Sequence, residues 1–282
     1  MSVSPSSSVQ AARQVLADRL RELCQDAGLE GKQLAAACGW HPSKVSRIAT
    51  AKTSPSADDI LAWCQACSAE EQTQDLIASL RAVEGMWIDW RRMERTGLKR
   101  AQEERLPLFQ RTRWFRCYAS WLVPGLLQTS GYTEDVLRAV QRRRVAIDDV
   151  ADAVAVRMDR QRVLYDGQKR FAFLIEESVL HNGLGSAETQ LEQLERLMKV
   201  GTLPNVSLGV IPAGTGRTRM PVEGFWIFDK SQANVELVSG YLTLTQPSEV
   251  GAYADTFTML AALAAYGAKA RGLITSTMAS LR

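Results

Sequence analysis

Residues 28–52 read GLEGKQLAAACGWHPSKVSRIATAK, and this stretch decides the first third of the chain. Lys32 to Cys38 has helical spacing, with Leu34, Ala35 and Cys38 on its apolar side. Gly39 supplies a tight turn. Pro42 opens the next helix, where its missing N–H does no harm. His41 takes the N-cap position, a place better filled by Ser, Thr, Asp or Asn. Val45 and Ile48 form the inward side, which leaves Ser43, Lys44, Ser46 and Arg47 on the other. Residues 31–52 hold Lys32, Lys44, Arg47 and Lys52 and no acid, a local charge of +4.

Working outward, Gln10 to Asp26 carries Leu16, Leu20, Leu23 and Ala27 on one helical stripe, and Gly28 ends it. Downstream, Ser56 is placed to cap a helix running to Ala66, and Glu70 to Glu84 forms another, with Leu76, Ile77, Leu80 and Val83 inward. Five helices within residues 10–84 imply an all-α domain, preceded by a disordered tail at 1–9. Two short helices joined by a Gly-containing turn form a helix-turn-helix pattern, whose second helix enters the DNA major groove.

The runs Gly28-Leu29-Glu30-Gly31-Lys32-Gln33-Leu34-Ala35, Val45-Ser46-Arg47-Ile48 and Lys52-x-x-Pro55-Ser56 resemble the phage-repressor (Cro/C1, or XRE) type of helix-turn-helix domain over nearly all of 10–84. The resemblance implies base reading by Pro42, Ser43 and Arg47, with Lys44 and Ser46 beside them. It also implies a phosphate contact at Lys52 and another where the second helix opens. The DNA-binding candidates are therefore Lys32, Gln33, His41, Pro42, Ser43, Lys44, Ser46, Arg47 and Lys52. Arg47 is the specificity candidate, because a guanidinium can bond guanine O6 and N7 together. Lys44 and Lys52 are placed to position the duplex. Two positions depart from the pattern. Gly31 stands where Gln is common, leaving backbone N–H groups as the anion donors. Ala49-Thr50-Ala51-Lys52 replaces Glu-x-Gly-Lys, so the Glu that often orients a neighbouring Arg is absent.

Past residue 84 the composition changes. Residues 1–84 carry a net charge of −2, 85–145 of +7 and 146–282 of −2. Trp87, Trp90, Arg91, Arg92, Arg95, Lys99 and Arg100 suggest a basic connector helix over 85–106. Residues 107–282 read as a larger α+β effector and dimerisation domain with one small, mostly antiparallel sheet. Helices are expected near Tyr132–Arg143, Ile147–Asp166 and 186–200. Strands are expected at Phe171–Ile175, Val206–Val210, Gly224–Phe228, Val235–Val238 and Tyr241–Thr245, before two closing helices.

The motifs Asp89-Trp90-Arg91-Arg92, Leu122-Val123-Pro124-Gly125-Leu126-Leu127-Gln128-Thr129, Arg157-Met158-x-Arg160-Gln161, Glu176-Glu177-Ser178-Val179-Leu180, Gln193-Leu194-Glu195-Arg196-Leu197 and Leu203-Pro204-Asn205-Val206 are similar to the effector domain of WhiJ-like regulators. These are actinobacterial helix-turn-helix proteins, many from Streptomyces. Gln110-Arg111-Thr112 departs from a Glu usual in that family. The resemblance implies a DNA-binding transcriptional regulator, a repressor acting as a homodimer on operator DNA, whose second domain receives a protein or small-molecule signal. It also leaves open an antitoxin-like module that binds a small acidic BldB-type partner protein and uses DNA for autoregulation.

Several classes are disfavoured. No run of 18 apolar residues exists, and the Ser-rich start lacks a basic and apolar leader pattern, so a cytoplasmic protein is expected, not a membrane one. Five cysteines, Cys24, Cys38, Cys64, Cys67 and Cys117, read as reduced thiols. Cys64-x-x-Cys67 lacks a second pair, and two histidines, His41 and His181, leave little for zinc or for a nucleophile–His pair. Ala213-Gly214-Thr215-Gly216-Arg217 follows no phosphate-loop pattern. Glu177 and His181 are an i, i+4 helix pair. Neither catalysis nor a cofactor is expected. Trp114, Tyr118, Trp121, Phe225 and Trp226 are candidates for a ligand pocket or, more simply, for core.

Overall fold

The computed structural model describes residues 7–89, 96–144, 147–217, 222–238 and 240–281. The chain divides into two compact units, 1–88 and 89–282.

The first unit is helical. Its elements are α1 (Ser7–Asp26), α2 (Gly31–Ala37), α3 (Pro42–Ala49), α4 (Ala57–Ala66), a 3-10 turn at Glu70–Gln72 and α5 (Thr73–Met86). Residues 7–9, expected in a disordered tail, open α1; residues 1–6 lie outside the described residues. Leu16, Leu20 and Leu23 of α1 meet Leu34, Val45, Ile48, Ile60, Trp63, Leu76 and Leu80 in one core. Trp63 satisfies its indole by donating to the Leu20 carbonyl at 2.9 Å, as a buried indole must. Ser56 caps α4 as its sequence position suggests: its hydroxyl accepts from Asp59 N–H at 3.1 Å, while the Asp59 carboxylate accepts from Ser56 N–H at 3.0 Å. All five cysteines are free. Burial pushes the Cys67 thiol up to about 12. Among the described residues no group of His, Cys, Asp and Glu is placed to hold a metal.

The connector differs from its expectation. Residues 87–89 form a short strand, β1 (Trp87–Asp89), and Gly97 at φ +93 precedes a separate short helix, α6 (Leu98–Glu103). A single helix over 85–106 is therefore not what the described residues form; Trp90, Arg91, Arg92 and Arg95 lie outside them.

In the second unit, α7 (Leu106–Arg111) leads into β2 (Trp114–Ala119), α8 (Ser130–Arg144), α9 (Val150–Arg160), a 3-10 turn, β3 (Arg170–Glu176), α10 (Glu177–His181) and α11 (Ala187–Val200). Then come β4 (Val206–Ile211), β5 (Phe225–Phe228), β6 (Gln232–Glu236), β7 (Gly240–Leu244), α12 (Pro247–Ala261) and α13 (Gly267–Ser280). Six strands of this unit lie in the order β7-β6-β5-β2-β3-β4. β2 runs parallel to β3, with Phe115 opposite Phe171, and β3 runs parallel to β4, with Phe173 opposite Leu208. The other three pairings are antiparallel. The unit is α+β as expected, but the sheet is larger than the small one anticipated. The added element is β2, which sits at the junction of the parallel and antiparallel parts. Its sequence hides it, because Arg116 stands mid-strand; the guanidinium lies 4.1 Å over the Trp114 ring and donates to the Asp229 carbonyl at 2.7 Å.

One sheet face is aromatic. Phe115 and Phe171 stack with centroids 4.8 Å apart, and Phe109 meets Phe228 edge-on at 5.4 Å. Tyr118 and Phe225 are core, whereas Trp114 and Trp121 are exposed, so the five candidate aromatics do not line one pocket. Buried Lys169 closes the end of α7, donating to the carbonyls of Gln110 and Thr112 at 2.6 Å each, where a helix C-terminus favours a cation. Glu177 and His181 go to different partners, Ala213 N–H and the Thr277 hydroxyl.

Ser68 stands at φ +54 just past α4, exposed to solvent. A left-handed backbone costs an L-residue about 1 kcal/mol or more. Ser68→Gly is expected to stabilise the first unit by about 0.5–1 kcal/mol, read as a higher urea midpoint at constant slope. A midpoint that stays put or falls would show that the strain is already relieved by the turn.

Candidate nucleic-acid interface

The turn between α2 and α3 is built by backbone geometry. Cys38 N–H reaches the Leu34 carbonyl at 3.0 Å, Gly39 N–H the Ala36 carbonyl at 3.1 Å and Trp40 N–H the Ala35 carbonyl at 2.7 Å. Gly39 adopts φ +67, the left-handed value that such a helix end requires. α3 then begins at Pro42 with His41 as its cap. The imidazole Nδ1 accepts from Ser43 N–H at 3.3 Å and lies 2.9 Å from the Ser43 hydroxyl. The imidazole thus does the work of the usual Ser or Asp.

Val45 and Ile48 are buried against the core. Ser43, Ser46 and Arg47 are exposed on the opposite side, as are Lys32, Gln33, His41, Pro42 and Lys52. The helix ends in a left-handed turn: Ala51 has φ +52, and the Arg47 carbonyl accepts from both Lys52 and Thr53 N–H, at 2.9 and 3.1 Å. Ala51, at a position where the sequence resemblance expects Gly, therefore bears the strain of a left-handed backbone. This turn sets Lys52 one step beyond α3.

Pro42, Ser43 and Ser46 are exposed on α3, with the Ser43 hydroxyl beside the His41 cap, and the other six candidates fall into two groups. Three have structural work. Gln33 Oε1 accepts from Glu30 N–H at 2.7 Å, closing the start of α2. His41 caps α3. Lys44, half-buried, donates to Asp59 at 2.6 Å and lies 4.1 Å over the Trp40 ring. Lys44 therefore ties α3 to α4. By contrast, the side chains of Lys32, Arg47 and Lys52 make no hydrogen bond or ion pair among the described residues and stand exposed.

Sequence reasoning missed Glu30. It occupies the N-cap of α2 and brings a carboxylate to the helix start that was expected to offer backbone donors to phosphate. Glu is not a common cap residue, so little in the sequence marks it.

Burial works to raise the Asp59 pKa, but the hydrogen bonds from Lys44 and Ser56 outweigh it and hold the carboxyl below its ordinary value. Stability from this group is present above the unfolded carboxyl pKa and is lost as pH falls through the lower folded value, so the window opens below about pH 4. Lys44→Ala should cost about 0.5–1 kcal/mol at neutral pH, a modest figure because the pair is partly exposed. It should also shrink the acid-side loss. Unfolding curves at pH 7 and pH 3 check this; an unchanged difference between the two would remove Lys44 from the role.

A family model of a helix-turn-helix domain matches residues 15–77. A second, a domain of unknown function (DUF5753), matches residues 110–276. No curated protein matches the chain. Among solved structures, that of TrmBL2, described as an archaeal chromatin protein with a novel mode of DNA binding, aligns at 11% identity over 80% of this chain and 72% of that one. Its TM-score of 0.31 does not establish a shared fold. Among the described residues no helix is long and apolar enough to cross a membrane. The matched domain and its outward polar helix define the class, a helix-turn-helix DNA-binding regulator. By its larger part the chain belongs to the DUF5753 family.

Proposed function

We propose that the protein is a sequence-specific transcriptional repressor of the phage-repressor (XRE) helix-turn-helix type, with a WhiJ-like second domain. It binds operator DNA as a homodimer through α3. The observation that carries this reading is the exposed side of α3 around Arg47. Arg47 stands exposed on this helix, and its side chain pairs with no acid among the described residues. Lys32 and Lys52 flank it in the same condition. Specific recognition needs both kinds of contact: phosphate bonds that fix register and a side chain that reads base edges.

A guanidinium that reads guanine contributes about 1–3 kcal/mol of discrimination at one base pair. Arg47→Ala is therefore expected to weaken operator binding roughly 10- to 100-fold while leaving nonspecific affinity nearly intact. Lys52→Ala should weaken every sequence alike and reduce the salt slope by about one. Binding titrations on operator and scrambled duplexes at several salt concentrations distinguish them. Equal loss on all duplexes for Arg47→Ala would make it a phosphate contact.

One α3 spans only one half-site, and helix-turn-helix proteins commonly bind two half-sites about 34 Å apart as dimers. The second unit has its own core and is the part proposed to supply the two-fold and to receive the signal. Residues 89–282 alone should be dimeric by light scattering. A monomer at micromolar concentration would place the two-fold elsewhere.

A further inference from the structure

Three of the sequence motifs converge in the second unit without serving DNA binding. Gln161 Nε2 donates to the carbonyls of Gly125 and Gln128, at 3.0 and 2.8 Å. Gln128 donates to the Val123 carbonyl at 2.8 Å and accepts from the Thr133 hydroxyl at 3.0 Å. Gln193 holds the far end, donating to the Leu127 carbonyl at 2.9 Å and accepting from Thr129 N–H at 2.8 Å. Three glutamines thus fix the loop 123–129, a fully connected buried network of the kind that rigidifies its surroundings.

Against this fixed loop, α9 presents two guanidiniums one turn apart. Arg157 donates to Gln102 at 3.2 Å and to Gln128 at 3.0 Å, both neutral amides. Arg160 is 5% exposed, yet its guanidinium makes no hydrogen bond among the described residues, and its Nε and Nη1 are buried without a partner. The guanidinium lies 4.6 Å over the Phe109 ring, and stacking on a phenyl face recovers only part of the solvation that burial removes. Arg105, paired with Glu236 at 3.1 Å, adds a third cation close by. Burial, and then the neighbouring Arg157 and Arg105, push the Arg160 pKa well below its ordinary value, and Arg157 is pushed down to about 10 by burial and by Arg105. Three guanidiniums here are offset by one carboxylate, Glu236, among the described residues, which leaves an excess of positive charge that favours an anion. Arg160 Nη2 faces Gly125 of the loop, where a Cβ would stand 3.5 Å from it, in ordinary contact.

We propose that Arg160 and Arg157, backed by the Gln128–Gln161 loop, form a binding site for a small dianionic ligand, a phosphate monoester or a dicarboxylate. Two adjacent guanidiniums match two negative charges, and planar guanidinium donors suit carboxylate and phosphate oxygens alike. Bound there, the ligand supplies the acceptors that Arg160 lacks and gives the second unit a chemical input. The proposal deepens the signal-receiving role given to this unit above.

The test is thermal unfolding of the full chain, without DNA, in sodium phosphate, sodium succinate and sodium chloride at equal ionic strength. At about 10 mM, one or both dianions are expected to raise Tm by about 3 °C or more over chloride. A rise with phosphate alone assigns a phosphoryl ligand, and a rise with succinate alone a dicarboxylate. Arg160→Gln removes the rise, whereas the Arg47→Ala, Lys52→Ala chain keeps it. Equal Tm in all three salts overturns the proposal, whatever the variants do. So does a rise that is lost in the Arg47→Ala, Lys52→Ala chain, since the anion would then sit on the DNA face. Should Arg160→Gln fail to fold, the wild-type salts together with the DNA-face variant still decide. Because no duplex is present, failure here leaves the DNA-binding reading standing, and failure of that reading leaves this result unaffected.

Discussion

Val45 and Ile48 must be buried, and that requirement sets the orientation of α3. Burying each side chain stabilises the fold by about 1.5–3 kcal/mol, well above anything the polar side of an eight-residue helix contributes by itself. Each residue advances a helix by 100°, so fixing these two fixes all the others. Ser43, Ser46 and Arg47 face outward because the inward places are taken. The Gly39 turn and the His41 cap then determine where the helix starts, and the left-handed Ala51 determines where it stops.

A basic patch is not a uniform surface. Lys44 and Arg47 are three residues apart on one helix and look interchangeable as charges, yet Asp59 and Trp40 hold Lys44, whereas no side chain among the described residues holds Arg47. A cation held by a carboxylate has already lost part of its hydration and mobility to that contact, and it meets a phosphate with its charge partly matched. An unmatched cation brings its full charge and releases counterions from the duplex. Counting Lys and Arg in the sequence misses this distinction, which only three-dimensional neighbours reveal.

The helices of the first unit were legible because their apolar positions follow a single period and their ends carry Gly28, Gly39 and Ser56. The partition of the candidate site was not. Asp59 lies fifteen residues beyond Lys44 on another helix, and Glu30 fell just outside the stretch read as basic. In the second unit, strands with alternating or aromatic patterns, such as Phe171–Ile175 and Val206–Val210, were readable. β2 was not, because Arg116 interrupts its apolar run and the compensation comes from Trp114 and the distant Asp229 carbonyl. The parallel pairing of β2 with β3 depends on a crossover through α8 and α9, which periodicity locates as helices without saying which strands they join.

The second unit also shows how this chain treats a buried cation that serves structure alone. Lys169 is surrounded by carbonyls at the end of α7. Arg116 keeps a carbonyl partner and an indole face, even with its Nε unmatched. Arg157 has two amide oxygens. Arg160 alone among these four has only a ring beneath it, although Gln128 donates to the Val123 carbonyl and accepts from Thr133 and Arg157, and Gln161 donates to the Gly125 and Gln128 carbonyls and accepts from Arg196. A network able to supply acceptors directs them elsewhere and leaves one guanidinium unmatched. An apolar side chain would pack on Phe109 without that desolvation cost. What the arginine has, and an apolar residue lacks, is a set of donors facing a loop that is already rigid. Such preorganised, unpaired donors are the arrangement that anion recognition requires.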